Sequence, residues 1–232
     1  MREIVLDTET TGLDSNDGHR VIEIGAVELF NHVPTGRVFH SYVNPGRDVP
    51  TEALQVHGLS AAFLAGQPPF AEVVEEFLAF LDHDGAANPA SARLVIHNAE
   101  FDIAFLNMEL RLLQRPPLDG GRAVVNTLQI ARQRFPGAPN SLDALCRRFN
   151  VDSSARTRHG ALLDAELLAE VYLGLMGGRQ PDLGLIATIS AQRRLIVRQR
   201  VLRPARPHAP TLEELAAHRV FLEQITQPIW LA

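Results

Sequence analysis

Four acids and one histidine carry the chemistry that this chain suggests. Asp7 and Glu9 directly follow Ile4-Val5-Leu6, a β-forming run. On a strand, residues i and i+2 face one side about 7 Å apart, so the two carboxylates project together from a strand end. Asp102 shares a helical face with Phe105, Leu106, Leu110 and Leu113, and Asp164 shares one with Leu168, Val171 and Leu175. A carboxylate aimed into an apolar face is costly unless it is paired or holds a cation. Singly, each acid has a plain explanation: a solvated strand end, an arginine partner, or a helix N-terminal turn that favours anions. Together, with no matching set of inward arginines, they favour cations at the centre.

Four oxygen ligands suit hard divalent ions, Mg²⁺ or Mn²⁺, and not zinc. Two such ions about 3.5–4 Å apart organise in-line attack on a phosphodiester. The water that attacks needs a proton acceptor. His159 stands five residues before Asp164, just ahead of its helix, and an imidazole with an unperturbed pKa near 6.5 suits that role.

The elements that must position these groups can be read from periodicity. Residues 2–8, 20–30 and 37–43 read as strands with short connections, which predicts an antiparallel meander. The apolar period then turns helical over 70–81. A short buried strand over 94–97 precedes a helix over 99–114. A further strand over 123–126 leads into a helix ending near 134. Ser141 is placed to cap a helix over 142–149, and a strong helix covers 161–176. Three strands followed by alternating β and α units predict an α/β sheet of mixed strand direction.

The chain has 232 residues, 46% of them hydrophobic, enough for one domain and an appendage. Its one cysteine, Cys146, excludes an internal disulfide. No signal peptide or membrane-length apolar run is visible, so a soluble cytoplasmic protein with no membrane partner is expected. Net charge is −5, distributed as −9 over residues 1–182 and +4 over residues 183–232. All 22 basic residues are arginine, which we read as compositional bias. A negative body disfavours tight retention on duplex DNA.

DTETTG at 7–12, HNAEFD at 97–102 and HGALLD at 159–164 resemble the three motifs of the DEDDh 3′→5′ exonucleases. The matching acids are Asp7, Glu9, Asp102 and Asp164, and the matching histidine is His159. Within that group the likeness is nearest to the proofreading epsilon subunits of bacterial DNA polymerase III. EALQVHGL at 52–59, NSLDALCRRF at 140–149 and AEVYLGLMGG at 169–178 support it. The resemblance covers roughly residues 2–178. It implies a ribonuclease H-like fold with a mixed five-stranded sheet flanked by helices. It implies metal-dependent hydrolysis of a DNA 3′ end to nucleoside monophosphates, which removes mismatched nucleotides. It also implies that Glu52 and His57 contact the terminal nucleotide. Phe101, beside Asp102, either stacks on a base or packs in the core. Asn126 stands where epsilon-like sequences usually have Asp, which drops a charge and keeps the hydrogen-bonding shape. Two other readings stay open: the same chemistry on RNA or oligonucleotide ends, and a catalytically silent adaptor. Intact residues at all five catalytic positions argue against the adaptor.

After Gly177-Gly178 the texture changes. We expect an exonuclease domain over 1–178 and a flexible tail over 179–232, with a linker over 179–210. Gln180, Leu183 and Leu185 resemble the short peptide by which replication proteins dock on a sliding clamp, and a plain linker explains them too. Thr211-Leu212-Glu213-Glu214 has the capping-box pattern that starts a helix. Leu212, Leu215, Leu222 and Ile225 recur at helical spacings, and Ile229-Trp230-Leu231 lies near the end. By resemblance these face the polymerase catalytic (alpha) subunit, with a small third core subunit as a further partner.

Overall fold

The computed structural model describes residues 1–82, 92–154, 156, 158–178 and 209–226. Its contacts divide the chain into two units, Met1–Asp182 and Leu183–Ala232.

The first unit is built on a five-stranded sheet in the order β3-β2-β1-β4-β5. β1 (Arg2–Thr10) lies at its centre, antiparallel to β2 (Val21–Phe30) and parallel to β4 (Ala92–Ile96). β3 (Val33–Tyr42) pairs antiparallel with β2, and β5 (Val124–Asn126) parallel with β4. The expected meander and mixed sheet are therefore present. β3 begins four residues before the alternation suggests, because Leu29 and Phe30 pair with Pro34 and Val33 across a tight, bulged turn.

Alternation along β1 feeds two cores. Ile4 and Leu6 pack against α3 (Phe70–Asp82) and α4 (Ala99–Leu112), with Phe77, Phe105 and Leu106 beneath them. Val5 faces the opposite side, where Leu145 of α6 (Leu142–Phe149) and Leu168 and Val171 of α7 (Ala161–Leu175) close over it. Ser141 caps α6 as its position predicts, accepting from the Ala144 N–H. Two short helices have no counterpart in the apolar periodicity, α1 (Thr51–His57) and α2 (Ala61–Leu64). Each buries a single side chain, His57 and Leu64, so neither leaves a stripe in the sequence. α5 (Thr127–Arg134) follows β5 directly.

In the second unit, α8 (Leu212–Glu223) starts with the expected capping box. Thr211 and Glu214 satisfy each other's backbone N–H groups. Leu212 and Leu215 on this helix are exposed. Gln180, Leu183, Leu185 and Ile229-Trp230-Leu231 lie outside the described residues.

Candidate active site

The site forms where β1 outruns its parallel neighbour. β4 pairs with β1 only as far as Leu6↔Ile96, so Asp7 to Thr10 continue with β2 alone on one side. Backbone groups on the other side need new partners. The Thr8 N–H finds one in the Asp102 carboxylate at 3.0 Å, and the Thr8 hydroxyl donates to the same Oδ1 at 2.7 Å. A threonine between two acids thus fastens α4 to the end of β1. The buried Glu109 of α4 accepts both fork nitrogens of Arg20, at 2.6 and 2.7 Å, which anchors the far end of the helix at the start of β2.

Asp7 and Glu9 share the face of Val5, under α7. The first turn of that helix lies directly on Gly25, which is the register partner of Asp7. A Cβ at Gly25 would stand 2.2 Å from the Ala161 carbonyl carbon and the Leu162 nitrogen. Only a glycine lets α7 come this close and deliver Asp164 to the strand end. An isolated glycine within a strand can mark such an approach, and that is the one signal the sequence carried for it.

A cleft of about 980 Å³ collects the result: Asp7, Glu9, Phe101, Asp102, His159 and Asp164 all line it. Ligand atoms of Glu9, His159 and Asp164 lie within 4.8 Å of one another. The His159 Nδ1 is 3.4 Å from Asp164 Oδ2, and its ring is half exposed at the mouth. Removal from water pushes the Glu9 carboxyl up to about 8, reinforced by Asp164, Glu23 and Asp102. The same cause raises Asp102 to about 7 against the two hydrogen bonds from Thr8. Asp7 is raised well above its ordinary value by burial, then by Asp102, Glu9 and Asp164. Like charges gathered in a dry cleft cannot all ionise without a counter-charge.

The arginine partner that would explain any one of the four acids singly is present for Asp164 alone among the described residues. An inward arginine is present: Arg156 meets Asp164 with Nε at 2.5 Å from Oδ1 and Nη2 at 2.6 Å from Oδ2. It also donates to Asp143, and its Nη2 lies 2.9 Å from the His159 Nδ1. Periodicity offers no warning of it, because Arg156 sits in the SSARTRHG connection, outside any periodic element. A single guanidinium cannot pair four acids: no arginine hydrogen-bonds or ion-pairs with Asp7, Glu9 or Asp102 among the described residues, and although the Arg156 charge lowers Asp7 and Glu9, burial and neighbouring carboxylates leave both raised.

A second cavity of about 520 Å³ adjoins the cleft, and Glu9 and Phe101 line both. Glu52 and His57 line it from α1, which ends at Gly58 with φ of 79°. The His57 Nδ1 accepts from the Leu59 N–H at 3.0 Å, so its Nε2 carries the proton in the neutral ring. Burial, aided by the His159 charge, lowers the His57 pKa and keeps that ring neutral. Nε2 is buried without a partner. Phe101 belongs both to the packed interior and to the cavity walls. It packs on Phe105 at 4.9 Å between centroids, and it walls both cavities. Leu13, 88% exposed at the lip of both, escaped the sequence reading because a lone apolar residue in a loop carries no pattern.

Asn126 uses both ends of its amide. Its side-chain oxygen caps α5, accepting from Leu128 and Gln129, while its Nδ2 donates to Glu100 at 2.6 Å. An aspartate would keep the cap and face Glu100 with a like charge.

A mixed five-stranded sheet with acids converging at the end of its central strand defines a class, the ribonuclease H-like exonucleases. Residues 4–172 match the RNase_T family model, described as exonuclease. The chain resembles the nuclease domain of the DEDDh family member 3′hExo, solved bound to rAMP, with a TM-score of 0.65 and 17% identity over 76% of this chain and 92% of that one. Exonuclease X in complex with 5′ overhanging duplex DNA aligns with a TM-score of 0.57 and 22% identity over 81% and 99%. The chain is 48% identical over 231 residues to the DNA polymerase III subunit epsilon of Rickettsia typhi, covering 97% of each. It is 45% identical over 234 residues to that of Escherichia coli K12, covering 97% of this chain and 93% of the relative. The chain belongs to the epsilon-subunit family of DNA polymerase III, the 3′→5′ proofreading exonucleases of the DEDDh group.

Proposed function

We propose that Asp7, Glu9, Asp102 and Asp164 hold two divalent cations, Mg²⁺ or Mn²⁺, and that the site removes mismatched nucleotides from a DNA 3′ end. The observation that carries this is the set of carboxyls from β1, α4 and α7 in one cleft, three of them raised in pKa and short of counter-charge. That donor set is all oxygen and fits hard cations. Bound there, the cations would supply Lewis-acid stabilisation to the attacking and leaving oxygens. His159, half exposed at the mouth, takes the proton of the attacking water at its imidazole. The adjoining cavity receives the terminal nucleotide. There Glu52 offers an acceptor and the unpartnered Nε2–H of His57 a donor, while Phe101 and Leu13 offer apolar faces to the base.

The test is turnover of the full chain on primers with matched and mismatched 3′ ends, with Mg²⁺ and with excess EDTA. Mismatched ends should be cut faster, because melting a terminal step costs on the order of 1–2 kcal/mol. His159→Ala should slow cleavage by roughly 10²–10⁴-fold while calorimetric metal binding stays close to wild type. Undiminished cleavage in EDTA would remove the metal reading. Loss of metal on His159→Ala would make His159 a ligand.

The C-terminal region we read as the tether of a cytoplasmic replication subunit. The polymerase catalytic subunit is its main partner, residues 180–185 are a sliding-clamp contact, and a small third subunit completes the core. The similarity to polymerase subunits over 97% of the chain supports this, as does α8 with its exposed Leu212 and Leu215. No helix among the described residues is long and apolar enough to cross a membrane. Truncation after Gly178 should abolish co-elution with the polymerase and leave cleavage of free DNA intact; retained co-elution would refute the tether.

A further inference from the structure

Among the described residues, Arg156 is the arginine that pairs with the acid cluster, and its position there is exacting. Its side chain is 7% exposed and Asp164 3%. The guanidinium spends Nε and Nη2 on the two oxygens of Asp164 and Nη1 on Asp143, with His159 Nδ1 beside Nη2. Asp164 is thereby held by a planar fork across both oxygens, the geometry in which Arg–carboxylate pairing is strongest. A guanidinium is permanently charged, so it cannot lie against the same carboxylate as a divalent cation without strong repulsion. Asp143, by contrast, is half exposed and lines the outer part of the same cleft. A side chain already bonded to Asp143 can swing about that contact and leave Asp164 without losing every partner.

We propose that Arg156 is a built-in stand-in cation: it occupies Asp164 in the metal-free protein and is displaced towards Asp143 when divalent ions enter. This rests on the two-cation reading above. Arg156 is then a positioning residue. It keeps Asp164 and His159 in place and offsets repulsion among the acids before metal arrives, at the cost of weaker metal binding. A site that is competent in only a fraction of molecules binds with its affinity reduced by that fraction.

The experiment is calorimetric titration of Mn²⁺ into the full chain without DNA, alongside thermal melts in EDTA and in Mn²⁺. Arg156→Gln should bind Mn²⁺ roughly 10-fold tighter than wild type, as expected when a competing closed state is removed. It should also melt lower than wild type in EDTA and gain more from Mn²⁺. Arg156→Lys keeps the charge and loses the fork, so it should fall between the two. Equal or weaker binding by Arg156→Gln overturns the proposal, as does Arg156→Lys binding Mn²⁺ no tighter than wild type, since then the fork across Asp164 does not hold the closed state. If Arg156→Gln fails to fold, Arg156→Lys decides alone. Equal Mn²⁺ binding by wild type and variants removes this inference and leaves the two-cation reading standing. No binding by any of them removes both.

Discussion

Glu3 and Glu9 stand on the same face of the same strand, six residues apart, and both are buried. Glu3 is matched to its surroundings: the Tyr172 hydroxyl donates to it at 2.8 Å and the His32 N–H at 3.0 Å. Glu28 on β2 is similar, because hydrogen bonds from Thr35 and Arg2 outweigh burial and hold its carboxyl below the usual range. Glu109 has the fork of Arg20. At the other end of β1, burial and neighbouring carboxylates push Glu9 up to about 8, and Asp7 rises for the same reasons. Glu3, Glu28 and Glu109 on one side, and Asp7 and Glu9 on the other, are thus of two kinds. One kind has protein donors and serves stability. The other is left wanting a cation, and it collects in the cleft.

Neutralising one member of each set separates the two kinds most sharply. Asp7→Asn should abolish cleavage and raise the metal-free melting temperature, because it deletes a like charge from the cluster. Glu3→Gln should do the reverse. It sets an NH₂ against one of its two donors, costing about 1–3 kcal/mol in a denaturant melt, while cleavage persists below the transition. If both substitutions destabilise alike, the distinction fails.

Gly25→Ala should come next. Crowding α7 off the sheet costs about 1–3 kcal/mol by the usual penalty for overpacking. Mn²⁺ affinity should fall as well, since Asp164 moves with its helix; a stability loss with unchanged Mn²⁺ binding would detach Gly25 from the site.

A pH series tests the cleft end alone. Glu9 and Asp102 have folded values near 8 and 7 against ordinary values of 4.5 and 3.8, so the native state binds more protons than the unfolded chain across that interval. Metal-free stability should therefore fall as pH rises from about 5 to 8 and flatten above. Mn²⁺ binding should release protons and tighten over the same range. Urea melts in EDTA and calorimetry in buffers of different ionisation enthalpy give both slopes.

Asn126→Ala should have the smallest effect, about 1 kcal/mol for a lost helix cap. Asn126→Asp should cost less than the alanine, since it retains the cap and loses only the Glu100 contact. Cleavage by Asn126→Asp should remain near wild type, because Asn126 lies outside the acid cluster.

The sequence alone determined the elements with a strong period and the acids that interrupt it. α3, α6 and α7 lie within a residue of their predicted bounds, because each buries a repeating apolar face over eight or more residues. Asp102 and Asp164 were legible as anomalies on those faces, and Asp7 with Glu9 as a strand ending in charge. What tertiary structure decided was everything that depends on contact between distant segments. That Thr8 completes its backbone bonding on Asp102, 94 residues away, follows from β4 stopping short of β1. That Gly25 seats α7 follows from the closeness of two backbones. That Arg156 reaches Asp164 follows from the path of a connection without periodicity. Periodicity reports which face of an element is dry. Only the fold brings two dry faces, or a charge and its counter-charge, to the same place.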